Sequence, residues 1–159
     1  MFIKELKTKF KISVREVSCF LRLEMEHHKD NSITISQKGY AIKILKCFGF
    51  EKCKPVAMPM LKGCRLQKSE TKNSDCPYKQ VVGALMYLMV VTRPDQAYSV
   101  GFLSRSLENP SAEDIVRVKR VFRYIASTVE YAITYNTTET KGVLHCYGDS
   151  DFGGWTKTS

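Results

Sequence analysis

The sequence predicts an α+β fold in which an N-terminal β-hairpin leads into a helical bundle and then into an incomplete sheet. Three observations predict it. Two stretches with alternating character, VSCFLRLEME at 17–26 and SITIS at 32–36, flank the polar HHKDN and read as strands joined by a turn. Apolar residues then recur at helical spacing between 37 and 125, in segments that carry their own start and stop signals. Finally, 131–135 and 142–147 read as two further strands joined across NTTETK. A chain of 159 residues is long enough for one core, or for one and a piece.

Composition narrows the class. Hydrophobic residues make up 43% of the chain and both signs of charge are present, which argues for a folded protein over a disordered one. Lys and Arg number 25 against 16 Asp and Glu, a net charge of +9 that fits either an anionic partner, nucleic acid first, or a solvated basic surface. The six cysteines form no C-x-x-C pair, so zinc is not expected, and reduced thiols in an intracellular protein, cytoplasmic or nuclear, are the expectation. The longest apolar run, 81–91, is shorter than the roughly 20 residues that span a bilayer, and no membrane partner is expected.

Residues 1–16 alternate Phe2, Ile3, Leu6, Phe10 and Ile12 with Lys4, Lys7, Lys9, Lys11 and Arg15, the pattern of a short helix with a basic outer face. After the hairpin, QKGYAIKILKCFGF at 37–50 places Tyr40, Ile44, Leu45 and Phe48 on one face. Lys38, Lys43 and Lys46 lie nearer the other face, and Gly49 supplies a C-terminal stop. Residues 51–77 lack periodicity and contain Pro55, Pro59 and Gly63, so they read as a connector, mobile or functional rather than core. In the next helix Val81, Val82, Leu85, Leu88 and Met89 form the inward face. Pro94 and Asp95 suit the first turn of a second helix, with Ala97, Val100, Gly101, Leu103 and Leu107 expected inward. Ala97 and Gly101 would there let a neighbouring helix approach closely. Ser111 followed by Asp114 resembles a capping box, after which Ile115, Val118, Phe122 and Ile125 mark the core side. Arg117, Arg120 and Arg123 lie largely on the remaining surface, where Arg120 and Arg123 share a face that would meet successive phosphates or simply solvent.

Several of these segments carry a resemblance. YKQVVGALMYL at 78–88, followed by Thr92-Arg93-Pro94-Asp95 and Ala97-Tyr98, resembles the "Y-[RK]-Q-L-V-G-S-L-M-Y-L … T-R-P-D-I-A-Y-A-V" signature of copia-type LTR-retrotransposon Pol polyproteins, with Gln96 standing where that family usually has an apolar residue. The strands at 20–24 and 33–37 resemble its "F-L-G-x-E … I-x-I-S-Q" hairpin, with Arg22 in place of the glycine. Residues 37–50 resemble "Q-x-x-Y-I-x-x-I-L-x-x-F-G-M", residues 55–60 "P-V-x-T-P-M", and the helix after Asn109 "E-N-P-x-x-x-H-x-x-A-x-x-R-I-L-R-Y-L-x-G-T". YGDSDFGG at 147–154 is similar to "Y-S-D-S-D-W-A-G".

The resemblance implies three divisions: 1–36, the end of a reverse transcriptase palm with a primer-grip-like hairpin; 37–128, thumb- and connection-like helices; and 129–159, the start of an RNase H-like domain. It implies nucleic-acid contacts from the thumb- and connection-like helices, for which Lys38, Lys43, Lys46, Arg117, Arg120 and Arg123 are the candidates. Arg22, standing where a glycine would let a neighbouring backbone approach closely, blocks that approach or adds a phosphate contact of its own. It makes Asp149 the first of the RNase H carboxylates that hold Mg2+ in the parent enzyme. Two-metal hydrolysis needs several carboxylates converging from separate elements, and the polymerase's own Tyr-Val-Asp-Asp turn does not occur in the sequence. The expectation is therefore a fragment that binds primer-template backbone and depends on the rest of its polyprotein. It holds no cofactor by itself and has no complete active site. A decayed or repurposed remnant acting as a small protein-interaction module is the alternative.

Overall fold

The computed structural model describes residues 2–11, 19–64 and 77–136. Helix α1 spans Phe2–Lys9. A four-stranded antiparallel sheet follows, in the order β1 (Cys19–Phe20), β2 (Leu23–His27), β3 (Ile33–Ser36) and β4 (Ala132–Tyr135). Between β3 and β4 the chain inserts α2 (Lys38–Cys47), α3 (Tyr78–Val91), a 3₁₀ turn (Pro94–Gln96), α4 (Ala97–Ser104) and α5 (Ala112–Ser127).

The first strand is not continuous. Phe20 pairs with Leu23, so Leu21 and Arg22 form a two-residue loop, with φ of 50° and 64°. Two consecutive left-handed residues are what a type I′ hairpin turn requires, because its twist matches that of the flanking strands. Alternation alone hides such a turn, since Leu21 and Arg22 carry none of the usual Asn-Gly chemistry. Position 22, where the resembling family has glycine, therefore favours glycine for its backbone rather than for close approach of a neighbour. The second turn follows the expectation: Asn31 takes φ of 63°, and the Asp30 carboxylate accepts from Ser32 N and Oγ.

Strand β4 returns after α5 to pair with β3, Ile33 opposite Tyr135 and Ser36 opposite Ala132. The first strand of the expected 129–159 division thus shares one hydrogen-bonded sheet with the hairpin; its companion at 142–147 lies outside the described residues.

The helices pack around one core. Tyr40, Ala41, Ile44 and Leu45 of α2 meet Val81, Val82, Leu85 and Leu88 of α3, Val100 and Leu103 of α4, and Val118, Val121, Phe122 and Ile125 of α5. Helix α2 ends in a Schellman motif: Phe50 N–H donates to Leu45 O and Gly49 N–H to Lys46 O, with Gly49 at φ 75°. That turn delivers Phe50 onto Phe122, ring centroids 4.8 Å apart. Helix α5 opens with the expected capping box, in which Ser111 Oγ accepts from Asp114 N–H and Asp114 Oδ2 accepts from Ser111 N–H.

Two further expectations change. Ala97 and Gly101 are exposed, and a Cβ built on Gly101 meets nothing within 4 Å, so no close helix approach occurs there. Val100 and Leu103 of α4 are buried as expected and Leu107 packs against the core, while Gln96 of the 3₁₀ turn and Ser99 and Phe102 of α4 are buried in place of Ala97 and Gly101. The connector is also less free than its composition suggests. Met60 enters the core, Val56 N–H donates to Arg123 O, and Ser127 Oγ donates to Val56 O at 2.8 Å.

Candidate nucleic-acid interface

Helix α2 has one face against the core and one toward solvent. Lys43 and Lys46, three residues apart and so neighbours on one helical face, are both exposed while Ile44 and Leu45 between them are buried. Among the described residues neither lysine forms an ion pair. Lys38, one turn earlier, is engaged: its Nζ lies 2.7 Å from Glu130 Oε1, and the hydrogen bond to Glu130 raises its pKa. The pair is solvent-exposed and contributes little to stability.

The arginines separate into distinct roles. Arg117 Nη1 donates to Asp114 Oδ1 at 2.8 Å and Nη2 to Glu113 Oε2 at 2.7 Å, with the guanidinium over the Phe102 ring. It braces the start of α5 rather than standing free at the surface. Burial pushes the Asp114 carboxyl up, but hydrogen bonds from Ser111, Arg117 and Ser106 outweigh it and hold the group below the usual aspartate value. Arg123 Nε donates to Lys54 O at 2.6 Å and so fastens the connector to α5. Arg120 Nε is buried and, among the described residues, has no hydrogen-bond partner. Arg22 lies over the Tyr40 ring at 5.3 Å, and Tyr87 Oη donates to Leu21 O at 2.6 Å, so the hairpin turn is pinned to α2 and α3.

One cluster escaped sequence reasoning, although its residues form the most conspicuous motif. Arg93 is 2% exposed and makes a bidentate pair with Asp95, Nε to Oδ1 at 3.0 Å and Nη2 to Oδ2 at 2.8 Å. Its other donors reach Thr128 O and Oγ1, and its plane sits over the rings of Tyr124 and Tyr131. Tyr124 Oη closes the network on Asp95 Oδ2 at 2.8 Å, and Thr92 Oγ1 donates to Gln37 Oε1 at 2.9 Å. Burial raises the Asp95 carboxyl pKa, and the hydrogen bonds from Arg93 and Tyr124 more than reverse this, leaving it lowered. Burial and the Asp95 charge both raise the Tyr124 pKa, so its hydroxyl stays protonated and donates. Thr92-Arg93-Pro94-Asp95 is thus an internal clamp joining the α3–α4 corner to the end of α5. Its signal in the sequence was a charged pair flanking a proline at the end of an apolar run.

Asp149 lies outside the described residues, and among those described no three His, Cys, Asp or Glu side chains converge as a metal site. No described helix is long and apolar enough to cross a membrane.

The chain is 36% identical over 128 residues to the retrovirus-related Pol polyprotein from transposon TNT 1-94 of Nicotiana tabacum, a match that covers 76% of this chain and 10% of that protein. It is 34% identical over 141 residues to the Pol polyprotein from transposon RE1 of Arabidopsis thaliana, covering 87% of this chain and 9% of that protein. The chain belongs to the copia-type retrotransposon Pol polyproteins. The uncharacterized mitochondrial protein AtMg00810 of Arabidopsis thaliana is a further relative, 31% identical over 160 residues, covering 99% of this chain and 65% of that protein. The copia-type chain therefore spans about a tenth of the two polyproteins and about two thirds of AtMg00810. No protein-family model matches it, and no solved structure does.

Proposed function

We propose that this chain is the part of a retrotransposon reverse transcriptase that holds the sugar-phosphate backbone of a primer-template duplex, acting with the remainder of its Pol polyprotein. In this reading the β1–β3 hairpin is primer-grip-like, α2 to α5 are thumb- and connection-like, and the residues after α5 begin an RNase H-like domain whose Mg2+ chemistry needs carboxylates beyond Asp149. The observation that carries the reading is the outward pair Lys43 and Lys46, unpaired among the described residues and held by a helix whose opposite face is core. Lysines so placed neutralise backbone phosphates without reading bases, and the released counterions drive association.

A titration of a labelled RNA/DNA hybrid against salt tests this. The affinity falls steeply with salt, and Lys43→Glu with Lys46→Glu weakens it and makes the log–log slope shallower by roughly 0.9 for each phosphate that is no longer neutralised. No affinity at low salt, or a slope unmoved by the double substitution, removes the reading. A second reading, a remnant repurposed as a small interaction module, draws on Arg22 in a left-handed turn and on Gln96, which is buried without a hydrogen-bond partner among the described residues. Both are local misfits of the kind that accumulates once selection on a polymerase is lifted.

A further inference from the structure

Helix α5 and the connector at 59–64 enclose a groove of about 680 Å3, within the roughly 300–1,000 Å3 of small-ligand sites. Its lining divides by chemistry. Met60, Leu61 and Val116 give it an apolar floor, and Leu61 and Val116 remain 52% and 64% exposed. Lys119, Arg120 and Arg123 supply positive charge along the α5 side. The acidic lining residue, Glu113, is paired with Arg117, which leaves the charge of Lys119, Arg120 and Arg123 uncompensated among the described residues. Arg120 Nε is also buried without a partner among the described residues, and a desolvated cationic N–H left unpaired is costly unless an acceptor arrives.

We propose that this groove takes an unpaired nucleotide from the single-stranded end of a bound nucleic acid, with the base on the apolar floor and the phosphate at Arg120. The assignment deepens the duplex-binding reading and rests on it for the larger ligand. A duplex keeps its base faces stacked inside and offers Leu61 and Val116 only phosphates, sugars and groove edges. A base freed from pairing has an apolar face, and its own phosphate lies one sugar away. Combined apolar and cationic contacts of this kind tolerate any base, because every base has such a face. An acidic peptide would satisfy the same cations, but the chain's net charge of +9 and the separate outward lysines of α2 favour a continuous polyanion.

The test compares the full chain's affinity for a blunt RNA/DNA hybrid, for the same hybrid with a single-stranded extension of about four nucleotides, and for the free single strand. The extension raises affinity about tenfold, the equivalent of one charge-assisted hydrogen bond. Leu61→Ser with Val116→Ser, both at exposed positions, removes that gain and leaves blunt-hybrid binding unchanged, and Arg120→Gln removes it as well. A blunt hybrid that binds while the extension adds nothing overturns the groove assignment and leaves the duplex reading standing. A free strand that binds through Leu61 and Val116 while the blunt hybrid does not bind supports the groove and removes the duplex reading. No binding of any of the three overturns both. Poly-glutamate bound as tightly as the single strand, and released in the same variants, overturns the choice of nucleic acid.

Discussion

Gln96 is the position at which one substitution most directly tests the physical account of this core. Its side chain is 0% exposed, and among the described residues neither Oε1 nor Nε2 has a hydrogen-bond partner. A buried amide that exchanges water for nothing costs about 1–3 kcal/mol, whereas an apolar side chain of similar volume at the same place costs no desolvation. Gln96→Leu is therefore expected to stabilise the chain by about 2 kcal/mol, which for a domain of this size raises Tm by roughly 4–8 °C. Gln96→Glu makes the matching control. It has the same shape but carries charge above the carboxylate pKa, so it is expected to destabilise strongly at neutral pH and less in mild acid, where protonation removes the buried charge. Calorimetric melting of the three chains at two pH values reads both effects. A lower Tm for Gln96→Leu would show that the amide is satisfied and that the 3₁₀ turn needs it.

Two further predictions concern the polar clamps. Arg93→Ala removes the guanidinium donors of Asp95 and of the Thr128 carbonyl, and since Asp95 is about a third exposed and keeps the Tyr124 hydroxyl the loss lies at the lower end of the buried-pair range, about 3 kcal/mol. Arg93→Lys recovers only part of it, because an ammonium cannot make the bidentate pair. Urea midpoints measure both, and a cost below about 1 kcal/mol for the alanine variant would mean that the cluster is not a clamp. The acid limb follows from Asp95 and Asp114, whose folded-state pKa values are both lowered. Their contribution is complete above the unfolded aspartate value of about 4 and disappears as pH falls below it through the depressed folded values. Unfolding free energy measured from pH 6 downward is expected to drop with a slope that flattens in Asp114→Asn; an unchanged slope contradicts the assignment.

Much of the framework was legible in the chain. The inward faces of α3 and α5 were readable because each buries one stripe, and a 3.6-residue period is visible whenever one side of a helix is wet. The Gly49 stop and the Ser111–Asp114 cap were readable because capping chemistry is local. The Leu21-Arg22 turn was missed because its residues lack the turn composition that its left-handed backbone normally demands. In α4, Val100 and Leu103 were placed inward correctly, but Ala97 and Gly101 were not, because a short 3₁₀ turn precedes the helix and advances the chain by a different angle per residue. Among the candidate site residues, Lys43 and Lys46 could be placed outward from periodicity alone. Arg117 and Arg93 could not be placed, since a surface arginine and a clamped one are written with the same letter.

The order of residues by itself determined the copia-type family, the positive charge, the helical faces and the caps, all of which depend on neighbours within a turn or two. Tertiary structure alone decided that Arg93 is internal, that β4 pairs with β3 across the whole helical insertion, and that the connector and α5 share a groove. Those outcomes depend on which groups lose water together when segments about a hundred residues apart meet, as Thr34 and Thr134 do across the β3–β4 ladder.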